Sequence, residues 1–264
     1  MIFRSRFLCV LVVAFAVLAA VSSVHAAVPG ASSPEAVPST DEDRILQTTV
    51  LVLETISTGG SIQLALTNLA VPYDLINAID WTGIDFSPYD TVIVGMDGGM
   101  MTEASVQAIR TGVIDAGKRA CFVGGSAWAD FANGVNNNII GIDVGNFSWA
   151  ISAAPHFTVT DPTHPLAQGL TSPMTFVNSS AAYYMARMTD ADMEVVAVNG
   201  DGYPCLVFKG ANFPGGGSGE FLWFTNSAEE GYWGDAGDLA FLQQVIANFV
   251  GDPVPVVLQS LMAE

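Results

Sequence analysis

The chain has 264 residues, with 26 acidic side chains against 8 basic ones and a net charge of −18. So acidic a balance excludes a surface built for nucleic acid or anionic lipid, since both carry negative charge themselves. Three histidines in the whole chain are too few for a histidine-rich metal centre.

Residues 1–26 have the organisation of a secretory signal peptide. Arg4 and Arg6 form a basic start, Phe7 to Val21 is an almost unbroken apolar run, and Val24-His25-Ala26 is a small-x-small cleavage signal. The run is too short for a membrane span and no stop-transfer charges follow it. A secreted or periplasmic protein is expected, and with Arg4 and Arg6 removed its net charge becomes about −20. No later stretch approaches 18 uninterrupted apolar residues, so no membrane contact is expected after cleavage. Residues 27–46, rich in Ala, Pro, Ser and acids, read as a flexible linker. One α/β domain over 47–250 and a C-terminal tail over 251–264 complete the division.

Val50 to Leu53 is a continuous apolar run of the kind found in strands covered on both faces. Thr58-Gly-Gly-Ser61 turns into a helix from Ile62 to Leu69, whose apolar face is Ile62, Leu66 and Leu69. Pro72 to Asn77 is a second short strand and Thr91 to Gly95 a third. Thr102 is placed as an N-cap, with Glu103 in the first turn and Val106, Ile109, Val113 and Ile114 along one helical face. Gly117 suits the residue just past that helix. Ala120 to Val123 is the fourth strand, and it stops abruptly at Gly124-Gly125-Ser126, a strand-to-helix turn through small residues. Buried strands alternating with helices over 48–125 predict a doubly wound, mainly parallel sheet in a flavodoxin-like three-layer fold.

The second half changes character. Residues 130–155 read as loop. Met174 to Val177, Glu194 to Val198, Cys205 to Phe208 and Glu220 to Phe224 are expected as additional, antiparallel strands. Asn199-Gly-Asp-Gly202 and Pro214 to Gly219 are hairpin connections. Leu239, Leu242, Val245, Ile246 and Phe249 mark a closing helix. Cys121 and Cys205 each lie in an apolar strand. Export permits a bridge between them, and free core cysteines are equally consistent with the pattern.

This order of elements resembles the class I glutamine amidotransferase-like superfamily. The resemblance is to its trehalose-utilisation-type branch, which lacks the Cys-His-Glu triad, and it covers roughly 48–250. Four segments carry it. They are the strand Val50 to Glu54 with its Gly-Gly turn, Tyr89-Asp-Thr-Val-Ile-Val-Gly-Met-Asp97, the turn Gly124-Gly-Ser126 at the nucleophile-elbow position, and Asp161-Pro-Thr-His-Pro-Leu-Ala-Gln-Gly-Leu170. Active members of the family carry a cysteine at the elbow and a histidine after the last strand. Here Ser126 stands at the elbow, and Thr225-Asn-Ser-Ala-Glu-Glu-Gly231 contains no histidine.

Open α/β sheets bind ligands at the carboxyl ends of their strands. Glu54, Asp97, Gly98, Gly125, Ser126, Asn226 and Glu229 all fall there and are the candidate ligand-binding residues. Trp128, Trp149, Tyr232 and Trp233 lie in loops at the same edge. The expected function is an exported, non-catalytic binding or interaction module for a small molecule, a carbohydrate or a protein, with no cofactor and no resident metal. One alternative is a secreted hydrolase with Ser126 as nucleophile and His164 as base, His156 being the other histidine in reach of consideration. A second is an accessory domain of an extracellular assembly, acting through its acidic face. For His164 a structural role in the Asp161-Pro-Thr-His-Pro turn competes with the catalytic one. Glu229, Glu230 and Asp235 offer carboxylates that attract Ca²⁺, without a loop of regular ligand spacing.

Overall fold

A computed structural model describes residues 49–54, 60–95, 102–124, 156–177, 193–211, 218–225 and 235–251. Its strands are β1 (Val50–Glu54), β2 (Tyr73–Asn77), β3 (Thr91–Gly95), β4 (Arg119–Val123), β5 (Thr158–Val159), β6 (Glu194–Val198), β7 (Pro204–Lys209) and β8 (Glu220–Phe224). They form one sheet in the order β2-β1-β3-β4-β8-β7-β6-β5. The first five in that row are mutually parallel. Their order is that of flavodoxin-like sheets, with β8 taking the fifth place. The remaining pairings, β8 with β7, β7 with β6 and β6 with β5, are antiparallel. The expected mixture of a parallel half and an antiparallel extension is therefore present.

The strands of the parallel half bury alternate residues into two separate cores. Val50, Val52, Ile93, Cys121, Val123, Leu222 and Phe224 face one layer of helices, α1 (Ser61–Asn68) and α3 (Ala236–Val250). Leu51, Leu53, Val92, Val94, Ala120, Phe122, Phe221 and Trp223 face the other, α2 (Glu103–Ile109) and the π-helical turn Arg110–Ile114 that continues it. The helix after β1 and the helix after β3 lie on opposite faces. Right-handed crossovers produce this when the strand order runs outward in both directions from β1 and β3. The link from β2 to β3 carries no helix. Trp81 and Phe86 plug that face instead, with the Trp81 indole N–H donating to the Ala78 carbonyl at 2.7 Å.

Side chains close several element ends, as their sequence implies. The Thr102 hydroxyl accepts from the Ser105 N–H at 3.1 Å and caps α2. Asn199 Oδ1 accepts from the N–H groups of Asp201 and Tyr203 and closes the β6–β7 hairpin. Arg119 ties three elements. Its Nη1 donates to the Phe249 carbonyl in the last turn of α3 at 2.9 Å, and its Nε pairs with Glu220 Oε2 at 2.9 Å.

Two expectations need correction. Met174 to Val177 is not a strand: Met174 makes an isolated antiparallel bridge with Phe157, and the Val177 N–H is taken by the Asp238 carboxylate. The strand on that side is the two-residue β5, too short to show a period. The helix from Glu103 runs into a π-turn from Arg110, where Gly112 lies flat against the Phe86 ring; a Cβ there would sit 2.5 Å from Phe86 Cδ2. The loop 130–155, the Gly-rich run from 214 to 217 and the expected signal, linker and tail lie outside the described residues.

Cys121 and Cys205 are both free and fully buried. They sit on β4 and β7 with β8 between them, so their backbones are about 9–10 Å apart laterally, beyond the reach of a disulfide. Burial pushes both thiols far above their ordinary range. Neither thiol should react with an aromatic disulfide reagent in the native protein, and both should react after unfolding in denaturant. Rapid native-state labelling of either would contradict this placement. At the start of β8, Gly219 packs so closely that a Cβ would lie 2.1 Å from the Lys118 carbonyl oxygen. Gly219→Ala should therefore destabilise the fold by on the order of 3 kcal/mol, read as a lower urea midpoint.

Candidate functional site

The carboxyl ends of β1, β3, β4 and β8 form one rim. Glu54 is opposite Gly95, Gly95 opposite Val123, and Val123 opposite Phe224. At about 4.8 Å per strand the rim spans roughly 14 Å. The strand order reverses between β1 and β3, the topological switch point at which sheets of this kind open a crevice.

The rim is pinned by backbone bonds. The Gly124 N–H donates to the Phe224 carbonyl at 3.0 Å, and the Trp223 indole N–H donates to the Gly124 carbonyl at 3.1 Å. Gly124 has φ 139°, in the region that favours glycine. That backbone closes β4, and Gly125 and Ser126, the rest of the expected turn, lie outside the described residues. Beside it, the Thr225 N–H and hydroxyl both donate to the Cys205 carbonyl.

At the switch point the polar groups come from β1 and α1. Glu54 is only 3 % exposed, and its Oε2 accepts from the Gln63 side-chain amide. Gly95 makes this possible. A Cβ at that position would lie 2.7 Å from Ile62 Cδ1 and 3.4 Å from Glu54 Cγ. Ser61 opens α1 after Gly60, whose left-handed backbone (φ 85°) starts the helix. The Ser61 hydroxyl, on a residue 2 % exposed, and the Gln63 carbonyl oxygen are buried with no hydrogen-bond partner among the described residues. Leaving such groups unmet costs about 1–3 kcal/mol each.

Of the candidate residues, Glu54 is thus at the switch point as expected. Asp97, Gly98, Gly125, Ser126, Asn226 and Glu229 lie outside the described residues, as do Trp128, Trp149, Tyr232 and Trp233. The strand ends to which their segments attach are those of the rim. Ser61 and Gln63 were missed. The signal available for them was their place in the first turn of a helix that follows a Gly-Gly turn from the first strand.

His164 is a structural residue in this geometry. Its Nδ1 accepts from the Leu166 N–H at 3.1 Å and caps the short 3-10 turn Pro165–Ala167. The proton is therefore on Nε2, which faces Glu194 Oε2 at 3.2 Å. The ring packs edge-on against Phe208. That position, over β6 and β7, is two to three strands from Gly124, roughly 10–14 Å across the sheet. Asp161 accepts from the Thr163 N–H at 2.9 Å, so the Asp-Pro-Thr-His-Pro segment is the turn its sequence implied. Asp235 is the N-cap of α3, its Oδ1 accepting from the Gly237 and Asp238 N–H groups at 2.8 and 3.3 Å, and Glu229 and Glu230 lie outside the described residues. Among the described residues no group of three or more His, Cys, Asp or Glu side chains is placed to hold a metal.

His156 is buried beneath α3, stacked on Phe176, with its Nδ1 accepting from the Phe176 N–H at 3.1 Å. Desolvation lowers its pKa, outweighing the opposing attraction of the Asp238 carboxylate. The native imidazole therefore binds its proton less readily than the unfolded one. Below the unfolded value of about 6.5 the unfolded chain takes up the extra proton. Stability is accordingly full above that pH and falls as the pH drops from there through the native pKa. His156→Asn, which keeps an acceptor for the Phe176 N–H, should show a shallower loss of Tm between neutral and mildly acid pH than the unchanged protein. Equal slopes would show that His156 is not the group responsible.

No protein-family model matches the chain, and no curated protein sequence matches it. Solved structures do. The "mmIFT52 N-terminal domain" is 12 % identical, covering 81 % of this chain and 98 % of that one, with a TM-score of 0.47. "Agd3 a novel carbohydrate deacetylase" is 13 % identical over 77 % of this chain but only 32 % of its own length, with a TM-score of 0.48. "PurLQS from Thermotoga maritima" is 12 % identical over 76 % of this chain and 98 % of that one, with a TM-score of 0.43. None of these similarities assigns an activity to this chain.

Proposed function

We propose that the protein is an exported, non-catalytic binding module of the amidotransferase-like type, in the branch without the Cys-His-Glu triad. Its ligand occupies the switch-point crevice at the carboxyl ends of β1 and β3. The observation that carries this reading is the polar cluster at that point. A buried carboxylate (Glu54) is held by an amide (Gln63), and an unmet hydroxyl (Ser61) lies in the same helical turn. An inherited corner that served packing alone would be lined with apolar side chains, because buried unmet polar groups are destabilising.

The chemistry of the cluster selects the ligand class. A carboxylate, an amide oxygen and a hydroxyl are acceptors that suit the hydroxyl donors of a neutral sugar or polyol. Glu54 at the N-terminus of α1 opposes the phosphate that such a helix end otherwise attracts. Non-catalytic status is supported by the serine at position 126, the absence of a histidine from 225–231, and the engagement of His164 over β6 and β7, two to three strands from Gly124.

The test is thermal stabilisation by a panel of neutral oligosaccharides, with inorganic phosphate as the contrast. At least one sugar should raise Tm, and Glu54→Gln and Ser61→Ala should each weaken its binding by about tenfold, near 1.4 kcal/mol. Stabilisation by phosphate alone, or sugar binding indifferent to both substitutions, would overturn the assignment of the crevice. Turnover of an activated ester that is lost in Ser126→Ala would overturn the non-catalytic reading.

A further inference from the structure

At the amino ends of β3 and β4, the end of the sheet opposite the rim, the surface is hollowed. Between the segment that leads into β3 and the π-turn Arg110–Ile114 lies a concavity of about 490 Å³, open to solvent on one side. That volume is within the range of small-molecule sites, roughly 300–1,000 Å³. Ile84, Phe86, Gly112 and Ala116 supply apolar walls. Single π-turns within helices recur at functional sites.

Lys118, half-buried, is the only cation among the residues that line this cavity. Its ammonium donates to the Phe86 carbonyl at 2.6 Å and to the Ser87 carbonyl at 2.9 Å. Both acceptors are neutral, so two of its three N–H groups are used while its charge has no counter-ion. The cations near it in sequence are matched: Arg110 pairs with Asp115 at 2.6 Å and Arg119 with Glu220 at 2.9 Å. Among the described residues no carboxylate lies within ion-pair distance of the Lys118 ammonium. The chain has 26 acidic side chains against 8 basic ones, so an unmatched lysine beside an apolar cavity stands against its composition. Asp85 also borders the cavity, but it is exposed and accepts from the Ser87 N–H at 2.9 Å.

We propose that this cavity binds a small apolar monocarboxylic acid, straight-chain or aromatic. The Lys118 ammonium gives its third N–H to the carboxylate in a charge-assisted bond, and the apolar body lies against Ile84, Phe86 and Ala116. One available N–H suits a carboxylate better than a phosphate, whose oxygens call for several donors. The net charge of −18 repels polyanions most. A ligand with one charge meets less of that repulsion, and burial of its apolar body offsets it.

Calorimetric titration of the purified protein with straight-chain acids from acetate to octanoate, with the matching amides and inorganic phosphate, tests this. Affinity should rise about three- to fourfold with each methylene buried, and each acid should bind about tenfold tighter than its amide. Lys118→Gln should bring the acids down to the level of the amides. Asp85→Asn, which removes a carboxylate bordering the site, should tighten the acids and leave the amides unchanged. Ala116→Trp, at an exposed position, should fill the cavity and abolish binding of both while thermal unfolding remains that of the unchanged protein. If Lys118→Gln lowers Tm by loosening the Phe86 segment, the Asp85 and Ala116 variants still decide. Acids that do not bind up to their solubility limit overturn the proposal. So does acid binding that survives Ala116→Trp, and so does phosphate binding tighter than that of hexanoate.

Discussion

Everything in this sheet depends on β8 being paired along both edges. On one side it lies parallel to β4, on the other antiparallel to β7. It is the joint at which a flavodoxin-like half becomes an antiparallel extension. Both of its faces are apolar, with Phe221 and Trp223 in one core and Leu222 and Phe224 in the other. Burial of such side chains contributes about 1.5–3 kcal/mol each, so this short strand links the two cores. Its ends are fixed by backbone contact. At the start the Gly219 N–H donates to the Ile114 carbonyl, and at the far end the Gly124 N–H donates to the Phe224 carbonyl. The rim on which the proposed crevice lies is held in register by that second contact.

The same logic explains why the fold was legible. A strand covered on both faces is apolar along most of its length, and β1, β3 and β8 each carry a run of at least three consecutive apolar residues, Val50–Leu53, Val92–Val94 and Phe221–Phe224. Helix faces and caps were equally plain, because Thr102, Asn199 and Asp161 bond to backbone groups within four residues of themselves. What failed was whatever is decided at long range. Met174 to Val177 has the composition of a strand, yet its last N–H is met by Asp238, 61 residues away. The π-turn at Arg110–Ile114 leaves the apolar spacing intact while changing the hydrogen-bond ladder, so periodicity could not reveal it.

The candidate site was legible as a position and less so as chemistry. Strand ends locate a rim in any open α/β sheet, and Glu54 falls there by that rule alone. The conjunction of Glu54 with Gln63 and Ser61 depends on the angle at which α1 returns over β1, set by Ile62 lying against Gly95. That contact joins residues 33 apart and leaves no mark in local sequence. His164 shows the converse. Its sequence motif invited a catalytic reading, and a single backbone N–H, that of Leu166, fixes its tautomer and gives it a structural role.

The sheet ends very differently at its two sides, in a five-residue strand and in a two-residue one. Open-ended stacking of identical units needs two edges of comparable length, one to offer and one to receive. The two ends are thus guarded by different means: β5 offers too few backbone groups to a foreign strand, and the longer β2 edge carries the exposed carboxylate of Asp74, a charge of the kind that discourages edge-to-edge pairing.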